Sequence, residues 1–352
     1  MLTLPQDIDS DKPVSATLLH NPLMHRDTPY EQLTPEVILD SIEAVGFEPT
    51  GGLIPLNSYE NRVYQVALEN GDFVIAKFYR PDRWSEQAIL EEHEFTLELL
   101  DAELSVVPPL NLSINAQNRD TLREHNGYRF AIFERKGGHP PNIEDEDTLR
   151  VLCRTIGRLH AEGSLRNFTD RQQLTVEEFG WKNRTTVLEA GFLPPELEEP
   201  YASISEELLV RADHAMKDVP MIRIHGDCHM GNILWRNEIP HFIDFDDCLM
   251  GPPIQDLWML LNGDFAAQLQ QAKIMIEAYR TFSFFDESSL RLIEPLRALR
   301  MIKHAAWIAN RWIDPAFPRA FPTFNTHNYW SNHILELKEQ LSKMDEPNLY
   351  YS

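Results

Sequence analysis

His225-Gly226-Asp227-Cys228-His229-Met230-Gly231-Asn232, followed by Ile243-Asp244-Phe245-Asp246-Asp247, is the densest polar stretch of the chain, and its reading decides the rest. Apolar runs at residues 221–224, 232–235 and 240–243 flank it and read as brief strands. Loops braced by strands present ligands from a rigid base. A hard cation such as Mg2+ takes oxygen ligands; the side chains of Asn232 and Asp244 supply two, with water and phosphate filling the remainder. A carboxylate close by but off the metal, Asp227, can orient and deprotonate an attacking hydroxyl.

The pattern His-x-Asp-x4-Asn, with an aspartate 12 residues later at the end of an apolar strand, matches the catalytic loop and metal aspartate of kinases. An Asp-x4-Asn pair alone arises by chance in many chains. His225, the flanking strands and Ile-Asp-Phe-Asp make the kinase reading the stronger one. Histidines beside acids also admit a metallohydrolase, yet Asp227, His229, Asp244 and Asp246 follow no recognisable zinc spacing.

Gly137-Gly138-His139-Pro140-Pro141 punctuates the chain upstream of this stretch. Before it, residues 51–56, 62–68 and 72–78 are predicted strands, the last two joined through Glu69-Asn70-Gly71. Further strands are expected near 110–114 and 128–134, with helices from Thr34-Pro35 onward and over 84–100. Beyond the Gly/Pro stretch, Leu149, Leu152, Cys153, Ile156 and Leu159 form a helical stripe closed by Gly163. Helices are also predicted at 206–216, 254–261, 268–279 and 289–312. The expected fold class is α+β, two-lobed and protein-kinase-like: a small β-rich, ATP-binding N-lobe at 33–136 and a larger helical C-lobe at 137–352. That C-lobe holds the catalytic loop, metal site and acceptor site. Residues 1–32, proline-rich and without periodicity, read as an N-terminal extension, loosely attached or disordered.

An ATP-binding lobe needs a lysine for the α- and β-phosphates, and Lys77 ends Phe73-Val74-Ile75-Ala76-Lys77-Phe78. A helix glutamate should hold its ammonium. Glu91, Glu92 and Glu94 are available, and Glu92 is chosen because Phe95 and Leu99 follow at core-facing spacing. The turn Pro55-Leu56-Asn57-Ser58-Tyr59-Glu60-Asn61 can offer backbone N–H groups and the Ser58 hydroxyl to phosphate, although it lacks the glycines of ordinary kinases. Glu134-Arg135-Lys136 are expected to meet adenine, walled by Phe130, Ile132 and Phe133.

The formal charge is −23, from 32 Lys+Arg against 55 Asp+Glu, which excludes nucleic-acid binding through a general basic surface. Three scattered cysteines make neither a disulfide framework nor a zinc cluster. With no signal peptide and no apolar run of about 20 residues, no membrane association is expected. The expectation is a cytoplasmic protein, monomeric.

Together these residues resemble the aminoglycoside phosphotransferase and choline kinase superfamily. Within it the chain is similar to bacterial stress response kinases, which are serine/threonine protein kinases. The resemblance runs from about Thr34 to Trp330. It is carried by residues 56–64, Lys77-Phe78-Tyr79-Arg80-Pro81, His225-Gly226-Asp227-Cys228-His229, Gly231-Asn232-Ile233-Leu234-Trp235, residues 255–264 and Asp314-Pro315-Ala316-Phe317-Pro318. It implies that Asp227 accepts the hydroxyl proton and that Asn232 and Asp244 hold Mg2+, with Asp244 also counted as catalytic. It further implies that Ser58 and Lys77 meet ATP, the phosphoryl donor, that Asp256 braces the catalytic loop from below, and that the acceptor is a Ser/Thr hydroxyl of a protein substrate. Two alternatives stand beside it: a small-molecule hydroxyl kinase, and a nucleotide-binding pseudokinase.

Gly226 stands where ordinary protein kinases carry the arginine that reads a phosphorylated activation segment, and only 11 residues separate Asp244 from Asp256. The chain is therefore expected to be active without prior phosphorylation. Full turnover by protein that mass spectrometry shows to be unmodified supports this; dependence on an upstream kinase refutes it.

Overall fold

Thr34 accepts a hydrogen bond from the Val37 N–H and Pro35 takes the first helical position, so helix α1 (Pro35–Glu43) starts where its capping chemistry places it. The computed structural model describes residues 28–113 and 120–346; most of the expected N-terminal extension, and Ile114, lie outside them. Strands β1 (Pro49–Pro55), β2 (Arg62–Leu68) and β3 (Phe73–Phe78) follow. At the β2–β3 hairpin, Gly71 adopts φ +86 and the Asn70 side chain accepts from the Asp72 N–H. Ser85 caps α2 (Glu86–Asp101) through the Ala88 N–H. Strands β4 (Arg123–His125) and β5 (Tyr128–Glu134) complete a five-stranded antiparallel sheet of order β1-β2-β3-β5-β4.

Residues 110–113 form no strand. They run beside the sheet, with Leu110 N–H donating to the Ile132 carbonyl at 2.7 Å. The strand that replaces them, Arg-Glu-His in β4, carries no apolar alternation and is held by its ladder to β5.

Period two decides what each sheet face does. Val66, Val74, Ala76, Phe78, Phe130 and Ile132 pack against Ile38 and Ile42 of α1. The cross-strand set Val63, Ile75, Lys77, Ala131 and Phe133 therefore occupies the opposite face. Phe130 and Ile132 face the α1 core and cannot wall a nucleotide beside Lys77; of the three expected, only Phe133 lies on that face.

Asp145 caps α3 (Glu146–Gly163). A π-helical turn (Glu177–Trp181), α4 (Lys182–Glu189) and α5 (Pro195–Ala215) come next, then β6 (Ile222–Ile224), β7 (Ile233–Arg236), β8 (Ile239–Phe242) and β9 (Leu249–Gly251). Helices α6 (Ile254–Trp258), α7 (Phe265–Tyr279), α8 (Ile293–Arg311), α9 (Ala316–Ala320) and α10 (His327–Lys343) end the described chain. β7 pairs with β8, and β6 with β9. Helix α5 begins well before the predicted residue 206: Pro195 sits in its first turn, and Pro200, which reads as a breaker, is absorbed within the helix. The stripe of α10 includes His333 and Gln340 beside Trp330, Ile334 and Leu337, and those polar members blur its periodicity.

Among the described residues the chain divides into two compact units, one of residues 29–174 with 219–290, the other of residue 28 with 175–218 and 291–346. In the second, Trp330 is fully buried against Tyr201 and Phe324. The first contains the sheet, α2, α3 and β6–β9, and with them every candidate site residue.

Within it, the end of α3 closes on β6. A Cβ at Gly163 would stand 2.1 Å from the Arg223 carbonyl oxygen. Arg223 in turn pairs with Glu98 of α2 at 2.8 Å and lies over the Phe95 ring. This contact seats the strand that leads into residues 225–232. Gly163→Ala is expected to destabilise the protein by about 1–3 kcal/mol, read as a lower urea midpoint; an unchanged midpoint would show that α3 and β6 can part without cost.

Candidate active site

The loop after β6 is held from beneath by one buried carboxylate. Asp256, at the head of α6, accepts from the backbone N–H groups of His225 and Gly226, both at 2.8 Å, and from His160 Nε2 at 3.0 Å. His160 Nδ1 is 2.9 Å from the Tyr279 hydroxyl, so helices α3 and α7 orient the carboxylate in turn. Three donors on one solvent-excluded carboxylate make strong, charge-assisted hydrogen bonds. Gly226 has φ +84, and a Cβ there would lie 2.3 Å from the Asp247 carbonyl oxygen. The space an arginine side chain would need is filled by the short segment after Asp244.

On top of this base, His225 Nε2 donates to the Ile243 carbonyl at 2.9 Å, and Ile243 N–H donates to the Asn232 carbonyl at 3.0 Å. The catalytic loop and the Asp244 loop are thus stitched together. Asn232 Nδ2 donates to the Asp227 carbonyl at 3.0 Å and lies 3.5 Å from the Asp227 carboxylate. Its nitrogen is committed to the loop, so the ligand this side chain offers is its oxygen. Asp244 is left-handed (φ 57, ψ 66), a costly conformation for a non-glycine residue, and its side chain is 49% exposed. Both are hard oxygen donors, suited to a cation that takes its other ligands from water and phosphate. Among the described residues no group of three or more His, Cys, Asp or Glu side chains is placed to hold a metal by itself.

Asp227 is half-buried. His229 Nδ1 accepts from the Gly231 N–H at 2.9 Å, which puts the ring proton on Nε2, 3.4 Å from Asp227 Oδ2. The neighbouring Cys228 is buried, and burial holds its thiol well above its usual range; Cys248 is pushed up to about 12 for the same reason. Neither is a thiolate at neutral pH.

Lys77, nearly solvent-free, meets three carboxylates: Glu92 at 3.0 Å, Asp246 at 3.1 Å and Asp244 at 3.4 Å. Burial disfavours its charge, but Asp246 and Glu92 override this and hold its pKa well above the ordinary lysine value. Asp246 is ionised: burial works against it, and Arg83, Lys77 and Arg171 together pull its pKa far down. Burial raises Glu92 despite Lys77. Arg83 pairs with Asp246 and, at 2.9 Å, with Asp247; it also reaches Glu60 of the β1–β2 turn at 3.8 Å. Arg80 holds the same Glu60 at 2.9 Å. Ser58 lies half-buried in that turn.

The structure thus brings Lys77, Glu92 and Asp244 into one ion cluster, and Asp227 and Asn232 onto one loop stitched to it. Ser58 lies in the turn that Glu60 anchors to Arg80 and Arg83. Sequence reading missed Arg83, Arg171 and the pairing of Asp246 with Lys77. Asp246 stood in the quoted motif; for the two arginines no spacing signal exists.

Comparison with known proteins bears on what this site serves. Residues 52–293 match the phosphotransferase enzyme family. The chain belongs to that family. It is 41% identical over 321 residues to stress response kinase A of Escherichia coli K12, covering 91% of this chain and 96% of that protein. With equal coverage it is 42% identical to serine/threonine protein kinase RdoA of Salmonella typhimurium. The solved amicoumacin kinase hAmiN, in complex with AMP-PNP, Ca2+ and Ami, matches with a TM-score of 0.70 at 18% identity, over 91% of this chain and 95% of that one. A microcompartment-associated aminopropanol kinase gives 0.61 at 17%, over 89% and 99%. At such identities the solved structures show the fold alone, the α+β, two-lobed kinase-like class expected above. Family and relatives make the chain an ATP-dependent phosphotransferase.

Behind Lys77, the Tyr79 hydroxyl is 2.7 Å from His93 Nε2, and His93 Nδ1 is 2.8 Å from the Thr121 hydroxyl. Burial lowers the His93 pKa to about 3. An unfolded histidine takes up a proton below about pH 6.5 while the folded one resists, so stability falls as pH drops from 6.5 toward 3. Between pH 7 and 5 His93 alone should remove about 2 kcal/mol. Urea midpoints at both pH values should show a smaller drop for His93→Gln than for wild type; equal drops would mean that the buried ring is not the cause.

Proposed function

We propose that this chain is an Mg2+-dependent serine/threonine protein kinase of the cytoplasm, serving stress response and survival. The observation that carries this reading is the ion cluster: Lys77 stands 3.0 Å from Glu92 and 3.4 Å from Asp244, whose loop is stitched to that of Asp227 and Asn232. The relatives' names support the acceptor class and the stress role. The unpaired cysteines agree with the compartment.

Residues 33–136 bind the nucleotide, and the chain from 137 onward supplies catalysis. Adenine lies on the apolar face that Val63, Ile75, Ala131 and Phe133 share with Lys77. Lys77, kept charged by Glu92 and Asp246, draws the α- and β-phosphate oxygens, and the turn bearing Ser58 closes over the remainder. Asn232 and Asp244 would hold Mg2+, which when bound neutralises charge on the β- and γ-phosphates. Asp227 accepts the proton of the acceptor hydroxyl as its oxygen bonds the γ-phosphorus and ADP departs. Its second oxygen is steadied by the Nε2–H of His229. Positioning and charge neutralisation supply most of the acceleration.

A second reading, a small-molecule hydroxyl kinase, is favoured by one observation: β9 begins at Leu249, right after the Asp244 turn, so the segment that helps seat peptides in other kinases has no counterpart here. Labelled ATP offered to a protein extract and to a panel of sugars, amino alcohols and aminoglycosides separates the two. Asp227→Ala should lower turnover by roughly 10²–10⁴-fold with nucleotide affinity nearly intact. Normal turnover, or a loss confined to nucleotide binding, would remove Asp227 from its role.

A further inference from the structure

We propose that Arg171 is a positioning residue for phosphoryl transfer: its guanidinium fixes α2, and through it Glu92 and Lys77, in register with the Asp244 loop. The inference rests on the kinase reading above and adds to it a means of staying switched on. In other kinases the lysine–glutamate pair and the metal aspartate are brought into place by a phosphorylated activation segment. Here that segment is short and Gly226 has no side chain to read a phosphate.

Arg171 lies in the coil after α3, with its side chain excluded from solvent. Toward the Asp244 loop its Nε donates to the Cys248 carbonyl at 2.6 Å, and its Nη2 donates to the Asp246 carbonyl. Toward α2 its Nη1 donates to the Ala88 carbonyl at 3.0 Å and lies 3.7 Å from Glu92 Oε2. The guanidinium carbon sits 4.3 Å from the Trp84 ring centre, just ahead of α2. The coil itself is tied to the same helix: Glu91 accepts from the backbone N–H groups of Thr169, Asp170 and Arg171 at 2.6, 2.9 and 2.9 Å. One planar fork therefore spans two elements that must not drift apart. A lysine is a point donor on a flexible stem and cannot make the same set of bonds.

The test uses the full chain carrying Arg171→Lys, compared with wild type for thermal melting, kcat and KM for ATP by ADP formation, and backbone hydrogen exchange. Expected are a folded protein, a kcat lower by about 10–100-fold with KM for ATP within about threefold, and faster exchange at 86–93 and 245–250 together, with α8 unchanged. A kcat within twofold of wild type, or exchange rising in only one of those segments, overturns the proposal. Should Arg171→Lys fail to fold, Glu91→Gln loosens the same tie without uncovering a buried charge. It should lower kcat about three- to tenfold and speed exchange at 86–93; wild-type behaviour overturns the proposal. Absence of ADP formation by wild-type protein would count against the kinase reading alone, and exchange would then decide the clamp by itself.

Discussion

Everything in the site depends on keeping one ammonium charged where water is excluded. Burying an ion is expensive, and attraction in the interior offsets the cost only when partners are close and well arranged. Lys77 is given three carboxylates within 3.4 Å, and Arg83 and Arg171 balance the acids that surround it. Removing any member would strand the charge of another. The cluster thereby couples a strand through Lys77, a helix through Glu92, a coil through Arg171, and the Asp244 loop through both Asp244 and Asp246. Of the three acids only Asp244 is substantially exposed, so it is the one free to turn to an incoming cation.

A second constraint is set by backbone rather than charge. The catalytic loop cannot use regular ladders for its N–H groups, and buried amides need acceptors. Asp256 supplies one carboxylate for two of them, while Gln255 donates to the Gly226 carbonyl at 3.1 Å. Adjacent residues of one short helix thus satisfy the loop from both sides, and His160 keeps the carboxylate from rotating away. The strain at Asp244 is tolerated because the flanking turn is tied down by both arginines.

Much of this was legible in the sequence, and the failures have physical causes. Tight-turn chemistry at Asn70-Gly71 and the capping pair Thr34-Pro35 marked their elements because those signals are local. Glu92 could be singled out from its neighbours because Phe95 and Leu99 follow it on the same buried stripe. Residues 128–134 were harder: Phe130, Ala131, Ile132 and Phe133 are apolar on both faces, and only the position of α1 tells which face is core. β4 and β9 are three residues long and exist by pairing, not propensity. Arg83 and Arg171 meet partners more than 70 residues away in sequence, which no spacing rule reaches.

Gly226 sets a condition on moving this site between proteins. Its missing side chain and the carbonyl of Asp247 are two halves of a single fit. A chimera that received the loop alone, without its own 245–251 segment, would carry a hollow beneath the grafted loop and lose the alignment of its acids. The transferable unit is the loop and the segment together.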